Sequence, residues 1–244
     1  ALEDFEGSEV IRGYYSDRAT YEKIIDLTEG KQEGEKLFIF DVTVQNHGGY
    51  GVEGFESQVH LTDMDNMPQT EQYLTMIRES DQAFKYLLDY YENVDEPTMI
   101  IMFGDHQPAV ETEFYETLFG KPLDQLTGEE NARRYMTPFI LWTNYEMPSE
   151  NVDKMSAAYL SSMIVERANL EPTDYQIFLD EMYKEAPVII PAGYYNGEGE
   201  WSSWDNWEEK KEYPTFKDYY ILHYNNILGG KRRDDSLFRV NLLY

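Results

Sequence analysis

The chain has 244 residues, a formal net charge of −27, a sequence pI near 4.3 and no cysteine. Its length allows one large domain, or one domain with a smaller appendage. The charge argues against nucleic acid and anionic membrane surfaces as partners, and the missing cysteines exclude disulfides, thiol nucleophiles and thiolate metal sites.

No apolar run approaches the ~18 residues that a membrane span requires. The acidic start ALEDFEGSEV does not read as a signal peptide. The segment SDRATYEKIIDLTEG (16 to 30) reads as a helix, capped by Ser16 or Asp17, with Tyr21, Ile24, Ile25 and Leu27 on one face and Gly30 at its end. Residues 37 to 44 run through Leu, Phe, Ile and Val with little polar alternation, which predicts a strand covered on both faces.

A loop rich in Gly, Asp and Asn follows, and then the longest helical pattern, 69 to 93. Its apolar stripe is Tyr73, Leu74, Ile77, Phe84, Leu87, Leu88 and Tyr91; Asp81 interrupts it and is expected in a buried salt bridge or a helix-end contact. Thr98 to Phe103 predicts a second buried strand, and TPFILWTN (137 to 144) a third. Two helices are expected at 151 to 168, capped by Ser149 or Asn151, and at 173 to 184, capped by Thr173.

From Ala186 the texture changes. A short strand is followed by a Gly-, Asn- and Trp-rich segment, an aromatic-rich helix at 213 to 230, and DSLFRV as a last short strand. Alternating strands and helices predict an α/β fold, a mostly parallel sheet with helices on both faces, over 1 to 185. Residues 186 to 244 are expected to form a small α+β appendage. Trp201, Trp204 and Trp207, spaced by three, read as one packed face of a short helix in preference to a sugar-stacking platform.

Ligands of open α/β sheets bind at the carboxyl ends of strands. One strand end carries QNHGGY, with His47 followed by Gly48 and Gly49. Another carries GDHQP, with Asp105 beside His106. An oxygen and a nitrogen donor at one point suit zinc or manganese, but an Asp after a strand also caps turns beside a surface His. His47 reads either as a ligand-contacting residue or as a turn residue, whereas His60 and His223 read as structural.

Taken in order, GYYSDRATYEKI, VQNHGGY, a YLxxIxxxD helix, MFGDHQP, TPFILW and YYILHYNNIL resemble the lipoteichoic acid synthase group. These are phosphoglycerol transferases of the alkaline phosphatase–sulfatase superfamily, and the resemblance spans nearly the whole chain. It implies that Asp105 and His106 ligate a divalent metal, usually Mn²⁺, and that His47 contacts the phosphoglycerol substrate. It also implies a Thr nucleophile that attacks the phosphorus of a phosphatidylglycerol head group and passes glycerophosphate to a glycan or polymer acceptor.

In the family, that Thr, a further acidic ligand and several membrane-spanning helices lie upstream of the segment matching residue 1. Thr20, Thr28 and Thr43 do not sit in the nucleophile's context. The chain is therefore expected to be the C-terminal portion of an enzyme anchored on the extracytoplasmic face of a bacterial membrane, with no catalytic nucleophile of its own and no activity alone. A truncated sheet is expected to favour self-association through its open edge. A sulfatase or phosphoethanolamine transferase of the same superfamily, and a non-catalytic glycan-binding module, are the alternative functions.

Overall fold

A computed structural model describes residues 5–205 and 214–240. They form two compact units, each with its own core: residues 1–125 with 137–147, and residues 126–136 with 148–244.

The first unit opens with a hairpin, β1 (Val10–Ile11) and β2 (Tyr14–Tyr15), followed by α1 (Asp17–Gly30). Ser16 supplies the cap: its Oγ accepts from the Ala19 amide at 3.1 Å. Helix α2 (Pro68–Tyr91) packs against α1 through a core of Tyr21, Ile25, Ala83, Phe84, Leu87 and Tyr91. Burying such side chains contributes about 1.5–3 kcal/mol each before chain entropy is set against it. Asp81 lies on the exposed face of α2, without the buried partner expected of it.

Strand β3 (Met99–Phe103), α3 (Thr112–Phe119) and β4 (Phe139–Thr143) complete the unit. β3 and β4 pair antiparallel, Met99 opposite Thr143 and Phe103 opposite Phe139. Asn144 ties this pair to the end of α2. Its Oδ1 accepts from the Thr98 amide at 2.7 Å, and its Nδ2 donates to the carbonyls of Tyr91, Val94 and Glu96.

Residues 37 to 44 depart from expectation. No strand pairing forms there among the described residues, and Phe38, Phe40 and Val42 are 91%, 70% and 68% exposed. Apolar, β-branched sequence makes a buried strand only when neighbours flank it on both sides. The segment presents its even-numbered side chains to solvent instead. The architecture is α/β, and every strand pair among the described residues is antiparallel.

In the second unit, α4 (Gly128–Ala132) is followed by α5 (Leu160–Arg167) and α6 (Asp174–Glu185). Thr173 caps α6 as expected, in a reciprocal box with Gln176. The helix expected from 151 begins only at Leu160, after a 3-10 turn over Ala157–Tyr159. The preceding segment is held in another way, because Ser156 Oγ accepts from the Ile189 amide and donates to its carbonyl, both at 2.7 Å.

β5 (Val188–Ile190), β6 (Gly193–Tyr195) and β7 (Trp201–Ser203) form an antiparallel sheet, and α7 (Pro214–Leu228) follows. The core gathers Tyr159, Leu179, Met182, Ala186, Tyr194 and Phe216, with Trp204 against it. The tryptophans pack, but from a strand and not from a helix: Trp201 lies in β7 against Tyr195, and Trp204 Nε1 donates to the Ile190 carbonyl at 2.7 Å. Trp207 lies outside the described residues. DSLFRV is a 3-10 turn at Asp235–Phe238, not a strand. Asp234 Oδ1 accepts from both the amide and the hydroxyl of Ser236, and this local turn outcompetes extended pairing.

Candidate functional site

Both sequence-predicted loops belong to the first unit. The QNHGGY loop is stapled to the two long helices by its own polar side chains. Gln45 is 1% exposed; its Oε1 accepts from the Asp17 amide at 3.0 Å, and its Nε2 donates to Ser80 Oγ at 3.2 Å. Asn46 Nδ2 donates to the same hydroxyl at 2.7 Å, and Ser80 Oγ donates in turn to Asp17 Oδ2. Farther along, Gln72 Oε1 accepts from the Gly51 and Val52 amides. Tyr50 OH donates a short hydrogen bond back to the Asn46 carbonyl and closes the loop on itself.

His47 is thereby held at the surface, exposed. Its Nδ1 lies 3.4 Å from Tyr14 OH, with the two rings 5.8 Å apart. Gly49 takes a φ of 88°, the left-handed backbone that glycine adopts without penalty, whereas Gly48 has an ordinary φ.

The GDHQP turn is held from the strand side. Gly104 accepts from Thr137 Oγ1 at 2.8 Å and donates its amide to the Pro138 carbonyl, so the TPF start of β4 positions the turn. Asp105 and His106 are both exposed; Asp105 Oδ2 and His106 Nε2 are 3.5 Å apart. His106 Nδ1 lies 2.9 Å from the Gln107 carbonyl, which can only accept. Nδ1 therefore carries a proton, which leaves Nε2 as the ring's metal-ligating atom, on the side of the Asp105 carboxylate. An oxygen with a nitrogen donor is a reasonable pair for a divalent transition metal. Among the described residues, no group of three or more His, Asp or Glu is placed to hold a metal.

Tyr50 packs edge-on against Tyr73 of α2, ring centroids 5.5 Å apart. Burial raises its hydroxyl pKa first, Tyr73 next, and Tyr115 and Asp105 add to the rise, while Arg12 opposes it. The Arg12 guanidinium carbon faces the Tyr50 ring at 4.8 Å. Arg12 Nη2 donates to the Gly49 and His47 carbonyls at 3.0 and 3.4 Å. Sequence reading missed Arg12, Tyr14, Tyr50 and Ser80 as parts of this region; only the residues flanking His47 in its own motif hinted at the network.

The remaining polar candidates are spent on structure. Thr20 Oγ1 donates to the Asp17 carbonyl, and Thr28 Oγ1 bonds the Ile24 carbonyl and Tyr91 OH. His60 pairs with Glu71 at 3.1 Å, and His223 packs against Tyr219. No helix among the described residues is long and apolar enough to cross a membrane.

Residues 2–170 match the sulfatase family model. A Rhizobium meliloti (strain 1021) protein named for cyclic β-1,2-glucan modification is 26% identical over 242 residues, covering 93% of this chain and 36% of its own length. The capsular polysaccharide biosynthesis protein RkpI of the same organism is 26% identical over 99 residues, 41% of this chain and 17% of its own. Among solved structures, the phosphoglycerol transferase GacH of Streptococcus pyogenes, in complex with sn-glycerol-1-phosphate, superposes with a TM-score of 0.60 at 20% identity. That match covers 75% of this chain and 45% of GacH. The chain thus spans less than half the length of these relatives.

Proposed function

The chain belongs to the sulfatase family, an enzymatic family of the alkaline phosphatase–sulfatase superfamily, and from that premise we propose that it is the C-terminal part of a metal-dependent phosphoglycerol transferase. In this reading residues 1 to 185 complete a sulfatase-like catalytic domain, and residues 186 to 244 are a small C-terminal subdomain. Asp105 and His106 ligate a divalent metal, Mn²⁺ by preference, and His47 contacts the glycerophosphoryl group. The nucleophilic Thr is supplied by residues outside this chain. When bound, the metal lowers the nucleophile's pKa and neutralises charge on the phosphoryl oxygens.

The single observation that carries the reading is the two-loop arrangement. His47 and Asp105 stand on separate loops that are both tied to the start of α2: Gln72 Oε1 accepts from the Gly51 and Val52 amides, and Glu111, beyond the GDHQP turn, accepts from the Gln69 and Thr70 amides, while His106 Nε2 lies 3.5 Å from Asp105 Oδ2. Within that arrangement, this chain's own groups do definable work. The Gln107 carbonyl fixes the His106 tautomer, and Thr137 holds the turn that presents it. Tyr14 keeps the His47 ring oriented.

The likeness to GacH supports glycerophosphate as the group transferred. The names of the two Rhizobium relatives support a cell-envelope glycan as the acceptor, and with it an extracytoplasmic location and a membrane anchor elsewhere in the protein.

The test is phosphodiester turnover. In the full-length gene product with Mn²⁺, Asp105→Ala or His106→Ala is expected to lower turnover of a phosphatidylglycerol-type substrate at least about a hundredfold. The 244-residue chain alone is expected to turn over nothing, and to bind Mn²⁺ only weakly by calorimetry, because two ligands make an incomplete shell. Turnover by the isolated chain would sink the reading. Hydrolysis of a sulfate ester by the full-length protein, without transfer, would reassign it to a sulfatase.

A further inference from the structure

The hairpin before α1 carries a residue whose placement the loop's own architecture does not require. Arg12 and Gly13 are the two central residues of the turn, with φ of 53° and 89°, and Ile11 pairs with Tyr14 across it. Such a turn needs left-handed backbone at both positions, which Asn, Asp or Gly ordinarily supplies. Arginine there accepts a conformational penalty that those residues avoid.

The penalty sets the guanidinium against the His47 loop. Nη2 holds the Gly49 and His47 carbonyls, and the Tyr50 ring covers the group. Nε and Nη1 are shut off from solvent and have no hydrogen-bond partner. No carboxylate among the described residues pairs with Arg12, although acidic residues in the chain outnumber basic ones 47 to 20. A partly buried guanidinium with two idle, solvent-shielded N–H groups and no counter-charge is unfavourable as it stands. What it lacks is an oxyanion, which a phosphate oxygen supplies through a charge-assisted hydrogen bond.

We propose that Arg12 is an anion-binding residue of this site: its Nε–H takes an oxygen of a phosphate ester, the Tyr50 ring shifts to admit it, and Nη2 keeps its hold on the His47–Gly49 backbone. The inference rests on the phosphoryl-transfer reading and adds to it a cationic substrate contact beside His47. It explains why an arginine occupies a turn position that favours asparagine or glycine. It also gives an excess-acidic chain a local means of accepting a dianion.

The experiment follows the Arg12 Nε–H signal by NMR in the 244-residue chain, with inorganic phosphate titrated at constant ionic strength and chloride as control. A saturable shift specific to phosphate is expected, with binding at least tenfold weaker in Arg12→Gln. Arg12→Lys, which keeps the charge but not the Nε–H, is expected to fall between. An unmoved Nε–H signal, or an Arg12→Gln affinity within twofold of wild type, overturns the proposal. Should Arg12→Gln fail to fold, the wild-type Nε–H shift alone decides.

Trace Mn²⁺ added to the full-length gene product tests the underlying reading separately, through paramagnetic broadening of the His106 ring signals. Broadening with an inert Arg12 overturns the Arg12 assignment alone. A responding Arg12 without broadening supports it and overturns the metal assignment. Neither response overturns both.

Discussion

Two glycines show how sharply single positions are constrained around the site. A Cβ on Gly104 would lie 3.0 Å from Thr137 Cβ and 3.3 Å from its Cγ2, so the turn that presents Asp105 and His106 would have to move. Gly104→Ala is expected to cost about 1–2 kcal/mol in urea unfolding, through that overpacking. Gly49 meets nothing within 4 Å, and its constraint is backbone alone. Gly49→Ala is expected to cost about 1 kcal/mol from its φ of 88°, while Gly48→Ala is tolerated. Equal costs at 48 and 49 would contradict this account. At this scale the sequence was informative about chemistry and uninformative about support. The motif letters identified His47, Asp105 and His106 as candidates. Nothing local announced that Gln45 would bond the start of α1, or that Thr137 would brace Gly104, since both contacts join distant residues.

Helix α2 shows the same dependence at the level of an element. Its N-cap position, Met67, offers no side-chain cap. Glu111, 42 residues beyond Gln69, takes the role: Oε1 accepts from the Gln69 amide at 2.7 Å, and Oε2 accepts from the Thr70 amide at 2.9 Å and its hydroxyl at 2.7 Å. Burial pushes this carboxyl up, but the hydrogen bonds from Thr70 and Gln69 win and hold it below the usual carboxylate range. A depressed folded-state pKa contributes stability that is present above the unfolded value and lost as pH falls through the folded one. Glu111→Gln is therefore expected to lower stability by about 1 kcal/mol at neutral pH and to flatten the acid limb of the unfolding curve. An unchanged pH profile would refute the capping role. The helices themselves were readable from their 3.6-residue stripes: α1, α2, α6 and α7 fall within a residue or two of expectation. The 151 to 168 helix was not, because Ser156 commits its segment to β5 in a way no periodicity reveals.

For the molecule as a whole, the decisive feature is the bare apolar segment from 37 to 44. Its exposed Phe38, Phe40 and Val42 and its unpaired backbone make a template for another strand. The net charge of −27 opposes close approach of two copies, so salt, which screens that repulsion, is expected to promote association. Sedimentation velocity should show concentration-dependent association that strengthens with salt and disappears in Phe38→Lys/Phe40→Lys. A wild-type chain that stays monomeric at high salt would rule this out.

The sequence by itself determined α1, α2, α6 and α7, the family and the identity of the candidate chemical groups, because each is written in local spacing and side-chain type. Only the tertiary structure decided strand pairing, the fate of residues 37 to 44 and the grouping of Arg12, His47 and Tyr50. Those depend on which distant segments lie alongside, and neither side-chain periodicity nor intrinsic preference encodes a neighbour.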